Sequence, residues 1–417
     1  MAGRTLRLLI VVYVATRALG VFLAINPEVY GTSHSKVTYD PVLYGGWAVE
    51  MLDDDLFPYS GVAIEYPPGV LPFVVAPEIE RPLKDTYLVR FVVTMLVVDL
   101  AAFIGVLIIG KRWGSSLGPW LWIGGVTLLG PIAFTRLDLI PAMATIWAIE
   151  RASARSWFGA GGWMVFGALS KVYPMFLMPL MYVASSAKRR FVMGISVISV
   201  LILMPYLGAL APLYDSVFGF HSSRGVHVES TWGAALIGAT YAGYEAAIEL
   251  NYGAFHVESG LSGLLKNLGN FLALVAVGIG MWVAATSFKR DDIPKLAATM
   301  YGTLAVIMGV GTVFSPQFIL WLIALGAVTL CHPSRTLRGP ILTMLPIAFI
   351  TQVIYPWVYE LLLSANASSI AVLISRNALV LISGLGTWAA IRGERFGPSQ
   401  PQLVEGPVAP SAALATV

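Results

Sequence analysis

Charged residues make up only 12% of the 417 positions, so the few motifs that gather them stand out. Tyr39-Asp40-Pro41 is the first. The residue before a proline is pushed out of the α region, and proline is favoured at the first helical position. The spacing therefore predicts Asp40 as the N-cap of a helix over about Pro41 to Leu52, with Tyr44 one turn on and Trp47 on the same face. Helix-start amides favour an ionised carboxylate, so Asp40 reads either as a plain cap or as a proton acceptor held ready. Glu65-Tyr66-Pro67-Pro68-Gly69 is the second motif. Its two prolines stiffen the chain and present Glu65 and Tyr66 beside a short apolar run, as site residues or as a rigid solvated turn. Asp53-Asp54-Asp55 does not read as a metal site, because three consecutive carboxylates cannot all face one ion on a helix; a solvated acidic turn is expected.

Arg136-Leu137-Asp138 sets opposite charges two residues apart, a spacing that does not face on a helix. They pair only at a break, which Pro131 and Pro141 favour; a structural ion pair is the alternative to a site role. Lys171-Val172-Tyr173-Pro174 puts a cation at a span end, where a snorkelling anchor is the plain reading. The stretch His221-Ser222-Ser223-Arg224-Gly225-Val226-His227-Val228-Glu229-Ser230 groups a guanidinium, two imidazoles and hydroxyls, the donors an anionic phosphate needs. His221 and His227 also offer metal ligands, though without a zinc-site spacing. Phe314-Ser315-Pro316-Gln317-Phe318 is either a helix start or a site segment carrying Gln317. Together these motifs supply acids, bases and phosphate-type donors.

An apolar framework has to position them. Hydrophobic residues are 57% of the chain and mean hydropathy is +0.77, which excludes a water-soluble globular enzyme, a disordered chain and a nucleic-acid-binding module. The net charge of +3 is too small to imply an anionic macromolecular partner. The expectation is an all-α polytopic membrane protein of about twelve spans: 6–26, 86–110, 117–135, 138–150, 158–171, 174–187, 191–211, 263–287, 296–313, 317–332, 340–358 and 368–391. With both termini in the cytoplasm, every predicted inner loop carries Lys or Arg, from Arg4 and Arg7 through Lys111, Arg112, Lys188, Arg189 and Arg190 to Arg392. Trp113, Trp120, Trp157 and Trp357 fall near span ends, as an aromatic belt requires. The chemistry-bearing motifs then collect on the outer side. Two long outer segments, 27–85 and about 212–262, are too apolar for free loops. Val70 to Ile79 reads as a re-entrant or interfacial helix, and Trp232 to Ile248 as a second interfacial helix or a span, though a span there would flip everything after it and put Lys289 and Arg290 outside. Arg4 and Arg7 followed by the apolar run Leu8 to Ile25 suggest a signal peptide. Arg17 interrupts that run and no A-x-A pattern comes after it, so a retained first span is expected. The lone Cys331 excludes a disulfide framework and a multi-cysteine metal site. Residues 1–397 read as one transmembrane domain and 398–417, rich in Pro, Ala and Ser, as a disordered cytoplasmic tail.

Taken in order over about 40 to 320, these motifs resemble the integral-membrane GT-C glycosyltransferases, most closely glycosyltransferase family 87, whose members use polyprenyl-phosphate sugars, typically mannose. The resemblance implies a GT-C-like fold in a bacterial plasma membrane, with the site facing the extracytoplasmic side. It implies an aspartate base in the first outer loop, at Asp40 here. The Asp-x-Asp or Glu-x-Glu form of metal-dependent relatives is missing, which points to a mechanism without metal or other cofactor. Substrate contacts are implied for Tyr44, Glu65, Tyr66, Arg136, Asp138, Lys171, His221, Arg224, His227, Glu229 and Gln317. The implied partners are a polyprenyl-phosphate sugar donor, a lipid or glycolipid acceptor and the membrane lipids, with no nucleic acid. The chemistry expected is inverting hexosyl transfer: Asp40 takes the proton of an attacking hydroxyl, and Arg224, His221 and Lys171 balance the departing phosphate. A phosphate leaves without protonation, so no second carboxylic acid is needed, unlike in glycosidases. Glu65 and Asp138 then position sugar hydroxyls or hold Arg136. A polytopic transporter or lipid flippase, and a protein O-mannosyltransferase, are the competing readings. A flippase calls for polar residues through mid-membrane and inverted repeats, whereas the charges here lie mostly on one side.

Overall fold

The computed structural model describes residues 3–79, 86–219 and 224–393. The helices, in chain order, are α1 (Gly3–Ile25), α2 (His34–Leu52), α3 (Leu71–Ile79), α4 (Tyr87–Trp113), α5 (Leu117–Leu129), α6 (Leu139–Ser153), α7 (Trp157–Ala168), α8 (Tyr173–Ala184), α9 (Lys188–Leu203), α10 (Leu210–Tyr214), α11 (Thr231–Ala239), α12 (Ser262–Thr286), α13 (Ile293–Val310), α14 (Ile319–Leu330), α15 (Arg338–Leu342), α16 (Met344–Gln352), α17 (Tyr359–Leu363) and α18 (Ala367–Gly393). A helix stands at each position where an apolar run predicts a span. Among the described residues, seven stretches are long and apolar enough to cross a membrane: Gly3–Ile25, Tyr87–Trp113, Lys188–Gly219, Ser262–Thr286, Ile293–Val310, Arg338–Trp357 and Ala367–Arg392.

The helices at the other predicted spans are shorter. Helices α5, α6, α7, α8 and α14 run only 12 to 15 residues, short of the ~20 that an isolated crossing needs. Two of them, α6 and α14, are enclosed by other helices. Every residue of α14 is buried, as are most of α6, so neither must match a lipid thickness alone. The stretch beginning with α9, by contrast, has few buried residues and is among the longest. Close packing inside the bundle depends on missing side chains. A Cβ on Gly161 of α7 would stand 2.1 Å from the Phe191 carbonyl oxygen of α9, and one on Gly194 of α9 would stand 2.0 Å from that of Phe158. Charges within the first spans pair internally. Arg17 of α1 meets Asp99 of α4 at 2.8 Å, and Tyr13 and Trp122 donate to the same carboxylate at 2.7 and 3.0 Å. The break in the apolar run at Arg17 is therefore a helix-to-helix tie.

Both long segments differ from expectation in one respect each. In the first, the helix begins at His34 rather than Pro41, so Asp40 lies inside α2 and does not cap it. Pro41 is tolerated within the helix because the carbonyls of the preceding turn find donors on another segment, at Arg136. Asp53 to Asp55 form an exposed turn, with Asp55 at φ 52°. The short apolar stretch is a helical turn over Pro68–Val70 leading into α3. In the second segment, the single helix expected over Trp232 to Ile248 stops at Ala239, with one further turn to Ala242 and Gly243 in the left-handed region at φ +84°. Beyond Gly243 the chain turns to sheet. Strands β1 (Val226–His227), β2 (Ala247–Asn251) and β3 (Ala254–Glu258) pair antiparallel in the order β1-β3-β2, so the helical framework carries a small β element. Tyr252 and Gly253, both at positive φ, make the two-residue turn that pairs β2 with β3. The tail at 398–417 and His221 lie outside the described residues.

Candidate active site

A cavity of about 750 Å³ opens between the two long segments and the ends of α8, α12, α13 and α14. Of the residues singled out from sequence, Asp40, Tyr44, Glu65, Tyr66, Arg136, Lys171, Arg224, His227, Glu229 and Gln317 line it. Asp138 stands directly behind Lys171.

Asp40 is held from two sides. Arg136 Nε lies 2.9 Å from its Oδ2, and the Tyr44 hydroxyl donates to the same oxygen at 3.2 Å. Tyr44 is one helical turn on, as the sequence spacing required. Both contacts fall on Oδ2, which leaves Oδ1 to a proton donor in the cavity. The pairing expected within Arg136-Leu137-Asp138 does not form. Arg136 turns to Asp40, while Asp138 turns to Lys171 at 2.8 Å. Residues two apart at a helix start point to different neighbours, and each finds its opposite charge on another segment.

Lys171 is no snorkelling anchor. Its ammonium sits 5.1 Å from the Tyr66 and Phe318 ring centres and 5.6 Å from that of Trp321, within cation–π range. Trp321 is stacked between Phe318 and Tyr173 at 4.0 and 4.1 Å. Gly69 secures this corner: its N–H donates to the Leu169 carbonyl at 2.6 Å, and a Cβ there would meet that oxygen. The Pro67-Pro68-Gly69 turn is thus docked on the residues just before Lys171, which brings Tyr66 and Lys171 together. Asp138 is fully buried and its Oδ1 has no partner. Glu65 meets Arg224 at 3.4 Å, and Arg224 also reaches the Tyr252 carbonyl at the hairpin tip. Burial pushes the Glu65 carboxyl above its usual range, against the pull of Arg224.

His227 and Glu229 come from β1 and the turn after it. The His227 ring nitrogen Nδ1 lies 2.7 Å from the Phe314 carbonyl, which can only accept; Nδ1 therefore carries the proton and Nε2 a lone pair. Burial, with His256 and Arg224 nearby, lowers this imidazole to about 3. Burial thus holds His227 towards its neutral form. His256 faces it across the sheet, also lowered by burial. Glu229 is raised to about 7 by burial, although Arg376 and the Tyr359 hydroxyl bond to it.

Sequence reasoning missed four participants. Lys36, Tyr355 and Tyr359 line the cavity, and Arg376 of α18 supports it. Arg376 donates to the Glu229 carbonyl oxygen at 2.7 Å and lies over the Phe314 ring at 4.0 Å. Its signal was available: Arg376-Asn377 interrupts an apolar span, where a charge is costly. Tyr355 and Tyr359 had no such signal. Phe176, Val217, Phe218, Leu304, Ile307 and Met308 give the cavity an apolar side, and Ser35, Tyr39, Asn270, Thr312 and Ser315 also line it. The arrangement offers a carboxylate with an available oxygen, cations in a partly dry setting, and an adjoining apolar arm. Among the described residues no group of three or more His, Cys, Asp or Glu is placed to hold a metal ion.

No known protein family matches the sequence, and no curated protein does. Among solved structures, the chain is similar to the crystal structure of ArnT from Cupriavidus metallidurans bound to undecaprenyl phosphate. The identity is 14%, over 92% of this chain and 76% of that one, with a TM-score of 0.47. A likeness of that size bears on neither activity nor substrate.

Proposed function

We propose that this chain is a membrane glycosyltransferase that moves a hexose, with mannose the first candidate, from a polyprenyl-phosphate carrier to a hydroxyl of a lipid or glycolipid at the outer face of a bacterial plasma membrane. The observation that carries this reading is the make-up of one cavity: a held carboxylate, two accessible cations and an apolar arm meet in the same space. An amphiphile with an anionic head next to a long hydrocarbon fits that combination. The Asp40 oxygen Oδ1 accepts the proton of the acceptor hydroxyl as its oxygen attacks the anomeric carbon. The bond from that carbon to the phosphate oxygen breaks with inversion, and the electron pair leaves with the phosphate. Lys171 and Arg224 balance the charge that builds there, in surroundings where such interactions are strong. His227 Nε2 accepts from a sugar hydroxyl, a role its neutral form permits.

The test uses protein purified in detergent, radiolabelled polyprenyl-phosphate mannose and a membrane lipid extract. Wild type is expected to form a labelled glycolipid and Asp40→Asn to lose transfer by about a thousandfold or more while still folding. Near-normal transfer by folded Asp40→Asn rejects the base. Carrier sugar moved across vesicles without transfer rejects the enzyme in favour of a flippase.

A further inference from the structure

Every donor of the Arg136 guanidinium is directed at the protein itself. Nε faces Asp40 Oδ2 at 2.9 Å. Nη1 donates to the Val37 carbonyl at 3.3 Å and to that of Thr135 at 3.0 Å. Nη2 donates to the Lys36 carbonyl at 2.9 Å and to the Tyr355 hydroxyl at 3.2 Å. The Tyr355 hydroxyl in turn donates to the Lys36 carbonyl at 2.8 Å, closing a ring of three groups. A regular helix would not expose these carbonyls. Pro41 has no N–H, so the Val37 oxygen four residues earlier has no helical donor. This turn leads directly into Asp40. Arg136 is almost fully buried, held by the break between α5 and α6, and Tyr355 is supplied from the far end of the chain.

We propose that Arg136 and Tyr355 are positioning residues: they grip the turn of α2 just before Pro41 and thereby fix the Asp40 carboxylate, so Arg136 is not a ligand of the substrate. The inference rests on Asp40 being the base of the proposed transfer. Each part of the grip has a distinct job. Pro41 presents the carbonyls. Arg136 reads both of them and the Asp40 carboxylate with one planar group, which a lysine cannot do. Tyr355 orients Arg136 through its hydroxyl.

The experiment compares wild type with Tyr355→Phe, Arg136→Lys and Pro41→Ala in the same mannose-transfer assay. A misplacement on the order of 1 Å at a reacting group costs about 100-fold, so kcat is expected to fall by about 10-fold in Tyr355→Phe and about 100-fold in Arg136→Lys. The donor KM is expected to stay within about twofold of wild type in both, because on this proposal neither side chain is a donor ligand. Pro41→Ala is the sharpest variant. It restores an N–H to the Val37 carbonyl and is expected to keep or raise thermal stability while lowering kcat. A residue with a merely structural role would move stability and leave the rate of folded enzyme alone. A tenfold or larger rise in donor KM with kcat kept makes Arg136 a substrate ligand and overturns the proposal. A second readout needs no turnover: amidation of Asp40 by a water-soluble carbodiimide and glycine ethyl ester, then peptide mass spectrometry. Labelling several-fold faster in all three variants supports the grip, and an unchanged rate overturns it. Wild type that transfers no sugar from this donor counts against the proposed function alone, since the labelling still decides the grip.

Discussion

Replacing Lys171 with Met tests the heart of the cavity. In the structure its ammonium is 2.8 Å from Asp138, whose side chain is fully buried and already has one oxygen without a partner. Removing the cation leaves a buried carboxylate uncompensated, a change that costs about 3–5 kcal/mol. Three aromatic rings within 5.6 Å add cation–π attraction of about 0.5–2 kcal/mol in total to what is lost. Lys171→Met alone should therefore destabilise by roughly 3.5–7 kcal/mol in a denaturant titration in mixed micelles. Adding Asp138→Asn removes the stranded charge, so the double variant should recover most of that loss. Transfer behaves differently. On the proposed reading Lys171 is a counter-charge for the departing phosphate, and removing such a group lowers kcat by about 10²–10³-fold. The double variant should be stable and still slow. Two results refute the reasoning. A single-variant cost below about 1 kcal/mol means that the pair is solvated rather than buried. Recovery of transfer in the double variant means that Lys171 does nothing for the phosphate and only neutralises Asp138.

Glu229 predicts a pH dependence. Its carboxyl is raised by burial from 4.5 to about 7, so its contribution to stability is complete below about pH 4.5 and is lost as pH rises through 7. Glu229→Gln should flatten unfolding free energy over that window; an unchanged slope rejects the assignment. His227 has the opposite sign: lowered from 6.5 to about 3, it contributes above pH 6.5 and loses that contribution as pH falls towards 3, which His227→Gln should abolish. Gly69→Ala should cost about 1–3 kcal/mol and slow transfer, since a Cβ would stand 2.6 Å from the Leu169 carbonyl oxygen and 2.7 Å from Ser170 Oγ; wild-type stability and rate would show that the turn does not dock on Leu169. Glu65→Gln should lower the donor KM by severalfold, because it removes the carboxylate that competes with phosphate for Arg224, and a raised KM would show that Glu65 itself binds the donor.

Most of the cavity was legible in the sequence because charge is expensive in an apolar chain. Asp40, Glu65, Lys171, Arg224 and Glu229 stand out against their surroundings, and prolines beside three of the motifs mark places where the chain leaves a regular helix. Who pairs with whom was not legible. Arg136 and Asp138 are neighbours in sequence yet hold partners 96 and 33 residues away, and Arg376 reaches back 147 residues to Glu229. Spacing along one helix carries no information about such contacts. Pro41 misled for a related reason. A proline just after an aspartate signals a helix start locally, but an interior proline is tolerated when tertiary donors such as Arg136 take over the carbonyls. The sheet was missed because Ala247 to Glu258 is only weakly alternating, and Tyr252-Gly253 is not among the dipeptides that announce a hairpin.

The pairing of charges around the cavity also bears on how an anionic head would enter. Lys36 faces Glu360, Arg136 faces Asp40, Lys171 faces Asp138, Arg224 faces Glu65 and Arg376 faces Glu229. Among the described residues each of these cations faces a carboxylate, so a phosphate that binds one of them has to exchange places with it. The pairs differ in how readily they allow that. Arg376 is fully buried and bonded to backbone as well as to Glu229, Arg136 is committed to the turn that carries Asp40, and Lys171 is tied at 2.8 Å to a carboxylate with no access to solvent. Arg224 is different. Its contact with Glu65 is long, at 3.4 Å, and the Glu65 side chain is 29% exposed. Burial already pushes the Glu65 carboxyl towards its protonated form, and Arg224 is the main group opposing that shift. On the proposed reading, when Arg224 turns to a phosphate, burial favours the protonated form of Glu65 further. On the proposed reading, donor binding is thus coupled to the uptake of a proton at Glu65. Lys171 and Arg136 stay in place through the cycle, one to meet the developing charge and the other to keep Asp40 aimed.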